Sequence, residues 1–409
     1  MLIDFRFENF RSFRKQQTLS LAAYERLTDG LISHSVDSGR KDIPRLLKAA
    51  AIYGANASGK SNLIKALQFM RAKVVNERLV SSCGWSEQPF RLSADAPDMP
   101  TKFEVSLLLG SVRYQYGFSV LHEKITEEYL LAYVNPVPQT WFERYFEASQ
   151  GRYFYKYSPS FRGIKSTWEK ATAPEALYLT TAVSLNCEQL KPIFQWFEKR
   201  LVVINELSPL NEFFTITRIL GTHDSSDVDA LLRASDLGLS GTEIIPKQVP
   251  GKTNSYDVLF KYQRDGKVFR FPFKEESFGS KKLFKLAGLI LDMLEKDITL
   301  AIDEMDAGLH PMLLEHILRL LMSREKHGAS QLIFTTHCDA LLENSTIPNS
   351  SVEPLLRRDQ IWFTEKNAQS ESELIPLQKY KPRKNESIRD GYRRGRYGAI
   401  PLLGDAELL

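Results

Sequence analysis

The sequence predicts an α/β fold: a core split between the two ends of the chain, a β-rich subdomain and a helical insertion between them, and no long coiled coil. That expectation rests on three features. The segment Gly54-Ala55-Asn56-Ala57-Ser58-Gly59-Lys60-Ser61 fits the pattern G-x-x-x-x-G-K-[ST] at every specified position. It stands between an apolar run, Ala49 to Tyr53, and an amphipathic stretch, Asn62 to Ala72, as a strand–loop–helix unit requires. Far down the chain a second apolar run, Thr299 to Ile302, ends in two carboxylates, Asp303 and Glu304.

In chain order, residues 2–8 alternate between apolar and polar, the mark of a half-buried strand. Asn9-Phe10-Arg11-Ser12-Phe13 turns into a second short strand around Gln17 to Ala22, and Tyr24 to Leu46 reads as polar loop. Past the first helix the pattern changes to a meander. Thr101 to Leu109, Tyr114 to Val120 and Glu127 to Leu131 read as strands, continued by Tyr153 to Tyr157. Residues 175–235 read as helical, from Leu190, Ile193, Phe194 and Phe197 at helical spacing and from Asp227 to Ala234. Val258 to Tyr262 and Val268 to Pro272 form a hairpin around Asp265-Gly266. Leu283 to Leu294 is an apolar helix, Ile298 to Ile302 a buried strand, Leu313 to Ser323 a helix and Gln331 to Thr335 another buried strand. The chain therefore divides into 1–86, the first part of the core; 87–165, the β-rich subdomain; 166–250, the helical insertion; 251–350, the second part of the core; and 351–409, a basic C-terminal tail packing on the core.

Composition bounds the class. A chain of 409 residues, at ~100–200 per domain, suggests two or three lobes. Its 43% hydrophobic and 25% charged residues are ordinary for a globular protein. Cys83, Cys187 and Cys338 lie far apart in no Cys/His cluster, so reduced thiols and no structural zinc are expected. No apolar run approaches the ~20 residues that span a bilayer. The N-terminus lacks a signal-peptide core, which points to the cytoplasm. A net charge of +4 neither demands nor excludes nucleic acid. The seven histidines form no metal-ligand pair, His310 and His316 being wrongly spaced for one helix face. Glu127-Glu128 and Glu275-Glu276 read as surface charges.

The chemistry follows from the motifs. In the loop the glycines let the backbone curl so that its N–H groups face phosphate oxygens. Lys60 reaches the β- and γ-phosphates, the Ser61 hydroxyl sits on Mg²⁺, and the helix N-terminus adds positive potential. Asp303, at the carboxyl end of a buried strand, is placed to hold Mg²⁺, and Glu304 to orient or deprotonate a water. Ser277-Phe278-Gly279-Ser280 precedes an apolar helix and offers a second anion site, or a plain helix cap at Ser277. Asp306 follows the carboxylate pair in Asp303-Glu-Met-Asp-Ala-Gly-Leu-His310-Pro311. His337 closes the strand Leu332 to Thr336. Taken singly, His310 reads as a loop residue and His337 as a core histidine.

In this order the motifs resemble the ABC-type ATPases of the Rad50/SMC/RecF kind. They resemble most the prokaryotic AAA-15/AAA-21 ATPases of phage-defence and abortive-infection loci, akin to the OLD-family ATPase module. The resemblance implies that Gly54 to Ser61, with Asn62, is the Walker A loop and Asp303-Glu304 the Walker B pair. It implies that Ser277 to Ser280 is the signature motif, Asp306 the D-loop aspartate and His337 the switch histidine. Asn9-Phe10-Arg11-Ser12-Phe13 matches the family's N-F-R-S-F element, which puts Asn9, Arg11 and Ser12 near the nucleotide. The signature departs from the Leu-Ser-Gly-Gly core of transporters. For the Q-loop glutamine, near Mg²⁺, Gln88 is the candidate, with a plain loop glutamine as the alternative.

The resemblance further implies that ATP bound by one protomer is covered by Ser277 and Gly279 of a second. The result is a homodimer or higher oligomer with composite sites, in which Lys60, Glu304 and His337 serve catalysis. Two roles stay open. One is a sensor in an antiphage system that controls a separately encoded effector protein. The other is a RecF-type DNA-binding ATPase, for which the feature is the run Lys379 to Arg396. There eight cations and Tyr380, Tyr392 and Tyr397 could follow a phosphate backbone and stack bases. A solvated face or a contact to an acidic partner is the alternative reading of that run.

Overall fold

A computed structural model describes residues 1–27, 30–75, 88–134, 137–235, 238–249, 252–322, 328–345, 354–383 and 386–401. Cys83 and Ser323, named above, lie outside these. The strands in chain order are β1 (Leu2–Glu8), β2 (Gln17–Ser20), β3 (Ser35–Asp37), β4 (Arg45–Leu47), β5 (Ala49–Gly54), β6 (Thr101–Leu109), β7 (Val112–Leu121), β8 (Lys124–Tyr133) and β9 (Gln139–Glu147). They continue with β10 (Arg152–Tyr157), β11 (Leu201–Ile204), β12 (Gly241–Val249), β13 (Lys252–Arg264), β14 (Lys267–Pro272), β15 (Thr299–Ile302), β16 (Gln331–Thr335), β17 (Ile361–Lys366) and β18 (Ser372–Pro376). The helices used below are α1 (Lys60–Val75), α2 (Lys165–Ala171), α3 (Tyr178–Ser184), α4 (Phe213–Thr222), α5 (Ser226–Arg233), α6 (Phe278–Glu295), α7 (Pro311–Met322) and α8 (Ile388–Arg393).

The chain forms two compact units. The first comprises 1–205, 297–304 and 329–409; the second comprises 206–296 and 305–328. In the first unit a six-stranded sheet runs in the order β11-β15-β16-β5-β17-β18. All neighbours are parallel except the edge strand β18. Its central strands β5, β15 and β16 are buried at every residue, which explains their near-continuous apolar sequences. A seven-stranded antiparallel sheet, β10-β9-β8-β7-β6-β1-β2, is the second layer.

One core holds both layers together. Phe5, Phe7 and Phe103 of the antiparallel sheet share a cluster with Ala50 and Ile52 of β5 and with Leu63, Leu67 and Met70 of α1. The helix is enclosed on most sides, and even its Lys65 and Gln68 are nearly covered. The sequence had suggested a one-faced amphipathic helix there. Gln331, wholly buried, bridges the sheets: its side chain accepts from Leu2 N at 2.6 Å and donates to the Leu2 and Leu47 carbonyls.

Several elements differ from expectation. The loop 24–46 contains the hairpin β3–β4. β9 and β12 were not foreseen, and β11 lies within the stretch read as helical. The largest difference is C-terminal. The segment read as a tail supplies β17, parallel to β5, and β18. Ile361-Trp362-Phe363-Thr364 is buried at all four positions, so hydrophobic burial decided its place while the basic run downstream had coloured the reading. Glu128 is a further correction: it is fully buried, not a surface charge, and it accepts from Tyr178 and Leu179 N–H groups at the start of α3.

In the second unit β12, β13 and β14 form an antiparallel sheet with its own helices α4, α5, α6 and α7. Phe260, Phe273 and Phe284 meet edge-on and stacked in its core. Cys187 is buried and Cys338 half-buried. Among the described residues no helix is long and apolar enough to cross a membrane.

Candidate functional site

The glycine segment Gly54 to Ser61 leaves β5 at Gly54 and enters α1 at Lys60. Glycine is required at both ends of the turn. A Cβ on Gly54 would lie 2.3 Å from Thr364 Oγ1 and 2.7 Å from the Thr364 carbonyl. Gly59 has φ +120°, and a Cβ there would lie 2.7 Å from Ser372 Oγ. Ala57 takes a left-handed φ of 61° between them. Ser58 Oγ bonds Thr364 Oγ1 at 2.6 Å. Lys60 Nζ donates to the carbonyls of Gly54 at 2.7 Å and Ala55 at 3.0 Å, so its ammonium lies over the loop's own backbone. Asn56 and Ala57 are exposed, Ala55 and Ser61 half-buried. The first turn of α1 carries no acidic side chain, which leaves its N-terminal positive potential unscreened.

Asp303 and Glu304 leave β15, two strands from β5, at the same edge of the sheet. Asp303 Oδ1 accepts a 2.6 Å hydrogen bond from Thr335 Oγ1, and the same hydroxyl accepts from Glu304 N at 2.7 Å. Asp303 N donates to the Ile204 carbonyl. Glu304 is exposed and has φ +49°, a conformation rare for a residue with a Cβ. His337, two residues past Thr335, is exposed and so not a core histidine.

The N-terminal element divides in role. Asn9 is 2% exposed; its amide donates to the carbonyls of Ala96 and Met99 and its oxygen accepts from Phe90 N. That side chain clasps the 90–99 loop. Arg11 N donates to the Gln88 carbonyl at 2.6 Å, and both side chains are half-buried. Ser12 Oγ accepts from Asn62 Nδ2 at 2.8 Å and bonds Ser372 Oγ at 2.9 Å. Ser12, Asn62 and the Gly59 turn are thus joined through β18.

The second unit gathers the other predicted residues. Ser277 caps α6: its hydroxyl accepts from Ser280 N at 3.1 Å and bonds Ser280 Oγ at 2.8 Å, so the cap reading holds. Gly279 packs against the Gly308 carbonyl, where a Cβ would come to 3.2 Å. Gly308, at φ +75°, faces the Phe278 ring, and Lys282 Nζ donates to the Ala307 carbonyl at 2.6 Å. Ser277 to Ser280 and the turn from half-buried Asp306 to Gly308 therefore form one surface. Phe278 (67%) and Met312 (73%) stand exposed on that unit.

The C-terminal basic run loses much of its expected nucleic-acid character. Tyr397 is 0% and Tyr392 8% exposed, both stacked on Phe363, with Tyr380 against Tyr397. Tyr392 and Tyr397 are not available to stack bases. Arg389 and Arg393 pair with Asp339, and Arg396 pairs with Glu386.

Sequence reasoning missed three residues at the loop and the carboxylate pair: Thr335, Thr364 and Ser372. Thr335 is adjacent to the predicted His337 strand end and was within reach of a closer reading. Thr364 and Ser372 carry no local signal, since only the sheet brings them to Gly54 and Gly59.

Residues 49–175 and 196–343 match the family model described as "AAA domain, putative AbiEii toxin, Type IV TA system". No curated protein matches the chain. Among solved structures, the SMC head domain from Thermotoga maritima is similar, at 16% identity, with 92% of this chain and 98% of that chain covered and a TM-score of 0.41. An SMC head bound to the C-terminal winged-helix domain of ScpA gives 15% identity, 96% and 99% coverage and a TM-score of 0.46. A Pyrococcus furiosus Smc head with an extended coiled coil, bound to the C-terminal domain of ScpA, gives 14%, 93% and 97%, and 0.39.

Proposed function

The chain belongs to this AAA-domain family, which it matches over most of its length, and on that premise we propose that it is an ABC-type ATPase that binds and hydrolyses ATP with Mg²⁺. The observation that carries the reading is the common sheet edge. The glycine loop and the Asp303–Glu304 pair leave the parallel strands β5 and β15 there, with one intervening strand, β16. Ligands of open α/β sheets bind beyond such carboxyl ends.

The residues fit the ligand. Gly54 and Gly59 let the loop backbone lie close against Thr364 and Ser372, and Lys60 lies over that backbone. The Ser61 hydroxyl and the Asp303 carboxylate are hard oxygen donors of the kind Mg²⁺ takes. When bound, Mg²⁺ supplies charge neutralisation at the β- and γ-phosphates. Lys60 exchanges its two carbonyl bonds for phosphate oxygens. Glu304, exposed at the sheet edge, orients the attacking water and takes its proton. His337 hydrogen-bonds the γ-phosphate. Arg11, Ser12 and Asn62 flank the nucleotide, and Gln88 lies beside them. Catalysis of this kind is mostly positioning and charge stabilisation.

The signature residues Ser277, Gly279 and Ser280, with Asp306, complete the site of a second copy, so that ATP holds a homodimer and hydrolysis releases it. We further propose a cytoplasmic regulator in a defence locus that governs a separately encoded effector, a reading that draws on the toxin system named in the family's description. The DNA-repair alternative loses support with the burial of Tyr392 and Tyr397.

The test is Glu304→Gln, tagged at its native locus and purified with ATP and Mg²⁺. Turnover should fall by about 10²–10⁴-fold with ATP binding kept, and mass should show at least two protomers with a stoichiometric companion. Full turnover would remove Glu304 from its role. A monomer under these conditions would remove the composite site.

A further inference from the structure

We infer that Thr335 is a positioning residue for the carboxylate pair: one buried hydroxyl aims Asp303 and pins the backbone of Glu304. This rests on the ATPase reading of that pair. A threonine hydroxyl has a single proton to donate and lone pairs to accept with. Here the proton goes to Asp303 Oδ1 at 2.6 Å, and Glu304 N–H is accepted at 2.7 Å. The first bond commits one carboxylate oxygen and so sets the orientation of the other. The second holds the peptide at which Glu304 adopts its left-handed φ of +49°. Strained residues of this kind persist only where neighbours over-determine them, and they cluster at functional sites.

The position is suited to the task. Thr335 is 0% exposed, so neither bond competes with water. It is the last residue of β16, the strand between β15 and β5, and its register partner on β5 is Ile52, two residues before Gly54. One side chain in a rigid strand thereby references the carboxylates to the strand that launches the loop. Outer partners of metal-binding carboxylates act in this way, and their loss typically costs activity or metal affinity without abolishing ligand binding. A space-filling role is the alternative: β-branched threonine suits a strand whatever its hydroxyl does.

Two variants separate these. Thr335→Val keeps the shape and loses the hydroxyl; Thr335→Ser keeps the hydroxyl and loses the methyl. Each is titrated with Mn²⁺ in the presence of a non-hydrolysable ATP analogue, followed by electron paramagnetic resonance. Nucleotide affinity in EDTA, and kcat and KM with Mg²⁺, are measured alongside. Thr335→Val should lose about 10–10²-fold in Mn²⁺ affinity and in kcat, with EDTA-state nucleotide affinity and KM unchanged. Thr335→Ser should restore most of both. Wild-type Mn²⁺ affinity in Thr335→Val, or a Thr335→Ser as impaired as Thr335→Val, overturns the inference. If Thr335→Val is not recovered folded, Thr335→Ala replaces it in the comparison. A wild-type protein that binds Mn²⁺ with the analogue but hydrolyses nothing refutes the ATPase reading, while the Mn²⁺ titration still decides Thr335. A wild-type protein that binds neither refutes both.

Discussion

Arg144→Met would remove the cation from an enclosed ion pair. Glu128 and Arg144 side chains are both 0% exposed, with 3.7 Å between Arg144 Nη1 and Glu128 Oε2. Glu128 accepts from Tyr178 N at 2.6 Å, Leu179 N at 2.9 Å and Tyr116 OH at 3.0 Å. Arg144 donates to the carbonyls of Ala176 at 2.7 Å and Ala173 at 3.0 Å and lies 4.1 Å from the Tyr153 ring centroid. Taking it away leaves a buried carboxylate without its counter-charge and two carbonyls without a donor. Breaking a buried pair from one side costs about 3–5 kcal/mol. At ~2–4 °C per kcal/mol for domains of this size, the melting midpoint of the first unit should fall by roughly 6–20 °C.

The sign with pH follows from Glu128. Burial raises its pKa, and Arg144 and the two N–H groups only partly oppose that, so it stays above the usual glutamate range. A raised acid binds its proton more tightly folded than unfolded. Its contribution is therefore fully present below the unfolded pKa and is lost as pH rises through the folded one. Without Arg144 the folded pKa climbs further. The deficit of Arg144→Met should be largest near neutral pH and shrink as pH falls through the folded-state pKa of Glu128. Calorimetry of wild type and variant across that range is the assay, with Glu128→Gln/Arg144→Met recovering much of the loss. A deficit under about 1 kcal/mol, or one constant with pH, would show that the pair is not what the geometry implies.

Three further outcomes are expected. Lys60→Ala should weaken ATP binding by about 10–10²-fold, since a charged hydrogen bond contributes about 1.5–3 kcal/mol; fluorescent-nucleotide titration checks it, and unchanged affinity refutes the loop assignment. Gly54→Ala forces a methyl to 2.3 Å from Thr364 Oγ1 and should cost both affinity and about 1–3 kcal/mol of stability. Adding Thr364→Ala should not rescue it, because the Thr364 carbonyl remains 2.7 Å away; full rescue would count against the contact. Single-stranded DNA should bind weakly or not at all at physiological salt, since Tyr392 and Tyr397 are buried and three tail arginines are paired. Tight binding with a steep salt slope would reverse that view.

What could be read without coordinates is the chemistry that is contiguous in the chain. The loop Gly54 to Ser61 needs its neighbours only a few residues away, because a turn and a helix N-terminus are local structures. The apolar runs of β5, β15 and β16 announce buried parallel strands for the same reason, and Asp303-Glu304 follows one of them directly. A family pattern places Asn9 but does not say which atoms its amide reaches, here the Ala96 and Met99 carbonyls and Phe90 N. Glu128 misled because alternation places a side chain on a face but cannot say that α3 covers that face.

Tertiary structure alone decided what stands behind the loop. Thr364 is 306 residues from Ser58 and Ser372 is 360 from Ser12, yet both touch the loop region through β17 and β18. The residues alone announced a glycine-rich turn between a strand and a helix, a carboxylate pair at a strand end and the α/β class. Which strand would lie beside β5 was settled by burial of Ile361 to Thr364, a non-local energy that no window of sequence contains.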